Sequence, residues 1–148
     1  MTFTLDYDRW IHLDAEDLAE TGIGDAYDRL LPKLRQYIQQ PAPVEETIDS
    51  EAACYTVRCG SEPYVIYSPE LDARHGNSWG RATFAFFRIV NEQLVGSEYR
   101  LYAINSGNDL GGMFLTPIDA KSAQQSLPNP TDWPYLPTDD PPWYGQYH

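Results

Sequence analysis

Tyr99-Arg100-Leu101-Tyr102-Ala103-Ile104-Asn105-Ser106-Gly107-Asn108-Asp109-Leu110-Gly111-Gly112-Met113-Phe114-Leu115 is the stretch on which the fold turns. Tyr99 to Ile104 reads as a strand and Met113-Phe114-Leu115 as its partner. The connection from Ser106 to Gly112 is rich in Asn, Asp and Gly, which accept positive φ and suit a chain reversal. Two strands joined so closely pair antiparallel. Immediately after them, Thr116-Pro117-Ile118-Asp119 predicts a helix start, with a Thr cap, Pro at the first position and an acid three residues past the cap. That helix is expected to run to about Leu127.

Working toward the N-terminus, Trp79, Ala82, Phe86, Val90 and Leu94 fall on one helical face, with Asn77 or Ser78 placed to cap. Phe84, Phe87 and Ile89 widen the apolar surface, so this helix is expected to pack on more than one side. Upstream, Ala52–Cys59 and Tyr64-Val65-Ile66-Tyr67 read as a β-hairpin turning at Gly60-Ser61-Glu62. Before it, Asp25 opens a helix with an apolar stripe of Tyr27, Leu30, Leu31, Leu34 and Ile38, stopped by Pro41 and Pro43. Pro32 is expected to kink that helix or to mark a start near Leu31. Phe3–Tyr7 alternates like a short strand, and Asp14 with Asp17 predicts a short capped helix ending before Gly22. The predicted class is α+β, a mainly antiparallel sheet packed by three to four helices. At 148 residues the chain matches one domain, 1–148, since about 100–150 residues is the usual domain size.

Residues 128–148 differ from the rest, with six prolines, no Lys or Arg, and Trp133, Tyr135, Trp143, Tyr144 and Tyr147. So many prolines exclude a helix or a central strand. So many aromatics are foreign to disordered tails. An extended strap over the domain is one reading. Exposed rings forming a binding patch are the other, since Trp and Tyr dominate interface hot spots.

Charge narrows the function classes. Twenty-two acids against ten bases give a net charge of −12, which disfavours nucleic acid and anionic membranes and favours basic partners. The acids cluster: residues 1–28 hold eight of them against Arg9 alone, and Glu45, Glu46, Asp49 and Glu51 follow. No apolar run reaches the roughly 18 residues of a membrane span. Met1 to Trp10 shows neither the basic nor the apolar region of a secretory signal, so a cytoplasmic location is expected.

Letter patterns for catalysis and cofactors carry little. Gly76-Asn77-Ser78-Trp79-Gly80 spells G-x-S-x-G, but a nucleophile elbow needs a buried strand before it, and Leu71-Asp72-Ala73-Arg74-His75 is polar. His12, His75 and His148 lack metal-ligand spacing. Cys54 and Cys59 point to opposite faces of one strand, a poor geometry for a disulfide. No phosphate-cradling motif is present. The expectation is no catalytic residue, no metal and no cofactor. Asp109 reads either as a turn residue or as an exposed acid at a hairpin tip that pairs with a partner's Arg or Lys.

Three features together are similar in type to the small acidic α+β immunity proteins of bacterial polymorphic-toxin systems. They are the acidic run Asp14-Ala15-Glu16-Asp17-Leu18-Ala19-Glu20, the hairpin Leu101-Tyr102-Ala103-Ile104-Asn105-Ser106-Gly107-Asn108-Asp109, and the Trp/Tyr/Pro tail. The resemblance implies a cytosolic, non-enzymatic protein that binds and blocks a co-encoded toxin domain. On this reading the expected partner-binding residues are Asp14, Glu16, Asp17, Glu20, Asp109, Trp133, Tyr135, Trp143 and Tyr144. A small-molecule or peptide binding domain using the aromatic tail is the alternative.

Overall fold

A computed structural model of the chain describes residues 11–13, 18, 22–49, 51, 54–59, 62–68, 78–106, 109–127 and 133–136, with backbone alone at 62, 67, 78–80, 105–106 and 109–110. In chain order the elements are β1 (Ile11–Leu13), α1 (Ile23–Leu34), β2 (Val44–Asp49), β3 (Cys54–Cys59), β4 (Glu62–Tyr67), α2 (Ser78–Gln93), β5 (Arg100–Ser106), β6 (Asp109–Leu115) and α3 (Pro117–Ser126). The class is α+β. Instead of one sheet there are two, each three-stranded and antiparallel, in the orders β1-β6-β5 and β2-β3-β4.

Alternation explains how the β1-β6-β5 sheet is buried on both faces. Leu101, Ala103 and Phe114 point into the main core, which also holds Phe86, Phe87, Val90, Leu30 and Leu34. Their neighbours Tyr102, Ile104, Met113 and Leu115 point the other way and meet Ala120, Ala123 and Leu127 of the α3 layer. A run with no polar position is what such a strand requires. The predicted loop is shorter than its Gly/Asn content suggests. Both strands extend until Ser106 faces Asp109, and Gly111 and Gly112 sit inside β6 opposite Ile104 and Ala103. The predicted start of α3 is observed, with the Thr116 Oγ1 accepting the Asp119 amide at 3.1 Å.

The β3–β4 hairpin is also observed, with Tyr55 and Val57 buried and Ile66 at a register shift. The Ile66 carbonyl accepts from Arg81 Nε at 2.7 Å, so α2 satisfies a group near the irregular step. Cys54 and Cys59 are free thiols on opposite faces, both half-buried. Burial pushes the Cys59 thiol above its ordinary value.

Two elements differ from expectation. α1 begins at Ile23, passes through Pro32 and ends at Leu34, well before Pro41. Pro32 sits in the last turn on the exposed side, where the missing N–H leaves only a solvent-facing carbonyl unmatched. The chain then turns, and Tyr37 stacks on Phe114 with ring centroids 4.5 Å apart. The acidic segment before the hairpin is strand β2, a sheet edge. The predicted strand Phe3–Tyr7 lies outside the described residues, as does the helix after Asp14 except for Leu18, which is helical and buried in the main core.

Candidate interaction surface

Two regions combine exposure with chemistry: the β2 edge, and the surface where residues 133–136 meet β5 and α2.

β2 reads Val44-Glu45-Glu46-Thr47-Ile48-Asp49 and pairs along its whole length with β3. Glu45, Glu46, Thr47, Ile48 and Asp49 are all exposed, as is Glu51 beyond the strand. Asp49 Oδ1 accepts the Glu51 amide at 3.1 Å, which fixes the turn and keeps the two acids close together. Glu45 and Asp49 share the outward face with Thr47, and Arg58 stands opposite Glu45. Carboxylates on an edge strand deter edge-to-edge pairing and offer a line of anionic acceptors to a cationic partner.

Glu46 has a different task. It faces the N-terminus of α1, where Gly22 is the cap residue, at φ 127°, and contributes no side-chain acceptor. The acceptor comes from the neighbouring sheet: the buried Ile23 amide donates to the Tyr55 hydroxyl at 2.8 Å. Tyr55 in turn donates its proton to the Glu46 carboxylate. A Cβ on Gly24 would lie 1.9 Å from Glu46 Oε1, so the absence of a side chain there is what admits the carboxylate. Glu46 thus places a negative charge at the positive end of a helix dipole.

At the other region, Tyr135 forms an antiparallel bridge with Ala103 on the outer edge of β5, donating to its carbonyl at 2.9 Å and accepting its amide at 2.8 Å. Next along this edge, the Asn91 carboxamide accepts the Leu101 amide at 2.7 Å and donates to the Leu101 carbonyl at 3.0 Å. A side chain from α2 and a backbone segment together close the edge. Trp133 Nε1 donates to the Leu127 carbonyl at 2.9 Å, and Gln124 Nε2 donates to the Pro134 carbonyl at 2.9 Å, so α3 holds the approach. Beyond Tyr135, Leu136 reaches α2, where a shallow groove of about 280 Å³ is lined by Phe84, Phe87, Arg88, Asn91, Glu92, Val95 and Leu136. Arg88 sits over the Phe84 ring and pairs with Glu92 at 3.1 Å.

Of the residues expected to bind a partner, Trp133 and Tyr135 are half-buried and engaged within the domain as described. Asp109 begins β6 opposite Ser106, at the tip of its hairpin. Asp14, Glu16, Asp17, Glu20, Trp143 and Tyr144 lie outside the described residues. The acids of β2 stand out in the sequence but the strand does not, although Val44, Thr47 and Ile48 are β-branched. Asn91 carries no sequence signal beyond a polar position on an apolar helix.

Among the described residues, no three His, Cys, Asp or Glu side chains gather as a metal site needs, and no helix is long and apolar enough to cross a membrane. Compared with known proteins, the chain matches no family model, no curated protein and no solved structure.

Proposed function

We propose that this protein is a non-enzymatic, cytoplasmic inhibitor, an immunity protein that binds and neutralises a cognate bacterial toxin domain through an acidic surface. The observation that supports this reading is the β2 edge, where Glu45, Asp49 and Glu51 stand exposed and close in sequence on a chain of net charge −12. Asp14, Glu16, Asp17 and Glu20, and Asp109 of β6, are proposed as further partner-binding carboxylates. Its partner is a basic protein rather than nucleic acid or membrane. Clustered carboxylates steer such a partner over a Debye length of about 8–10 Å and raise its association rate. The proline- and aromatic-rich segment 128–148 serves as a strap on the domain, entered through the anchors at Trp133 and Tyr135. Rings left uncovered by that strap, Trp143 or Tyr144, add apolar anchors to the contact.

The test combines Glu45→Gln, Asp49→Asn and Glu51→Gln, sparing Glu46 because it supports α1. Association with the partner should slow about tenfold at low salt and depend less on salt, with little change in dissociation. An unchanged association rate and salt slope would remove the β2 edge from the binding surface.

A further inference from the structure

We infer that the outer edge of β2 takes an extended basic segment of the partner as an added strand. Lys or Arg side chains of that segment lie along Glu45 and Asp49, and an apolar side chain lies beside Ile48. This rests on the inhibitor reading above and names how the partner is held.

The backbone carries the inference first. β2 is the end strand of its sheet and matches β3 over six consecutive positions with no shift in register. In an antiparallel pair every second residue turns its amide and carbonyl away from the neighbour. Among the described residues, Val44 to Ile48 make no backbone hydrogen bond beyond those to β3. Elsewhere the fold covers such groups: Tyr135 and Asn91 close the edge of β5, and Arg81 takes the Ile66 carbonyl of β4. β2 has no bulge, no proline and no lysine, the usual guards of an edge. Its guard is negative charge, and that guard is selective.

Charge then names the occupant. Glu45, Thr47 and Asp49 share one face, and Glu51 follows them. Arg58 lies across from Glu45 on that face and offsets its charge, whereas Asp49 lies across from the Cys54 thiol. The strongest attraction for a cation is therefore at the Asp49 end. A second copy would set its own Glu45 and Asp49 against the same residues, like charges facing one another on chains of net charge −12. A basic strand meets opposite charge there, and such cross-strand pairs stabilise a sheet.

Glu46 is not available to the added strand, because its carboxylate accepts from Tyr55. Ile48, on the same face as Glu46, is 59 % exposed, and a strand with alternating side chains lays an apolar residue beside it. Glu45 and Asp49 are about 13 Å apart at about 3.3 Å per residue, so two basic side chains four positions apart reach both carboxylates. In strand addition the main-chain bonds supply affinity and alternate side chains supply the choice of ligand.

The experiment uses the full chain and a seven-residue synthetic peptide alternating lysine and valine. Three forms are compared: unmodified, N-methylated at every lysine, and N-methylated at every valine. Methylating one set blocks one edge of the peptide strand and leaves the other intact. Calorimetry measures binding, and hydrogen exchange reads the β2 amides with and without peptide. Binding of the unmodified peptide should weaken at least tenfold between about 50 mM and about 500 mM salt. It should weaken as much in the double variant Glu45→Gln, Asp49→Asn, which keeps an oxygen for the Glu51 amide. One methylated peptide should lose at least tenfold in affinity and the other stay within about twofold, with exchange slowed at alternate residues of β2. Salt-dependent binding that both methylated peptides retain would overturn strand addition while leaving the acidic surface as a binding site. Edge-selective binding unchanged in the double variant would overturn the basic occupant and the acidic reading of β2 with it. No binding of the unmodified peptide would overturn strand addition, and the inhibitor reading would then be decided by capture of the partner itself.

Discussion

The hydroxyl of Tyr55 caps α1 from across the fold, accepting the Ile23 amide at 2.8 Å although the two residues are 32 apart in the chain. Helix and sheet are therefore joined by a polar contact inside the core, with Glu46 receiving the hydroxyl proton. Tyr55→Phe keeps the ring and leaves the buried Ile23 N–H without its acceptor. The expected cost is about 1–3 kcal/mol, a drop of roughly 2–4 °C in Tm per kcal/mol for a chain of this size. Glu46→Gln should cost less, because a carboxamide oxygen still accepts from Tyr55 and only the charge at the helix end is lost, about 0.3–1 kcal/mol. Urea denaturation of both variants checks the order.

Asn91 closes the β5 edge with one donor and one acceptor, both used by Leu101. Asn91→Asp keeps the acceptor and sets a carboxylate against the Leu101 carbonyl. At neutral pH it should destabilise by about 2 kcal/mol, the scale of an unmatched polar group. Protonation restores a donor, so the deficit relative to wild type should shrink as pH falls through the carboxylate range. A deficit independent of pH would show that the carboxamide does not bridge Leu101.

Stability at high pH follows from two phenols. Burial raises Tyr27 above its ordinary 10.0, with Gln93 opposing, and burial raises Tyr102 in the same direction. Burial likewise raises the Cys59 thiol above its ordinary 9.0. On unfolding these groups return to ordinary values and lose their protons first, so above those values the unfolded state binds fewer protons. Stability contributed by these groups should be level below about pH 9 and fall as pH rises through and beyond 10. The urea midpoint at pH 7, 8.5 and 10.5 measures this, and Tyr102→Phe should soften the fall. A midpoint that held or rose at pH 10.5 would contradict it.

Local signals were legible where the sequence carries its own geometry. Thr116-Pro117 with Asp119 announced α3, and the stripe Tyr27, Leu30, Leu34 announced α1, because caps and apolar periods act over a few residues. The sheet division was not legible. Whether β3 and β6 join one sheet depends on α2 packing against both β4 and β5, a long-range choice that alternation does not encode. β2 stands out in the sequence as an acidic run because the face it turns toward α1 includes Glu46, a carboxylate that makes sense only beside Gly22, Gly24 and Tyr55. The same holds for the surface: clustered charge was visible, but the Asn91 bridge, the Tyr135 anchor and the groove arise from residues brought together by folding.

The proposed function requires that an acidic surface bind a basic protein. Its most direct test is affinity capture with the tagged chain from a lysate of its own host at about 50 mM and about 500 mM salt, conditions that bracket strong and weak screening. The expected result is one stoichiometric basic protein, retained at low salt and released at high salt, whose toxicity the chain suppresses. A partner held equally at both salts would move the contact to the aromatic segment, and no partner at either salt would contradict the inhibitor reading.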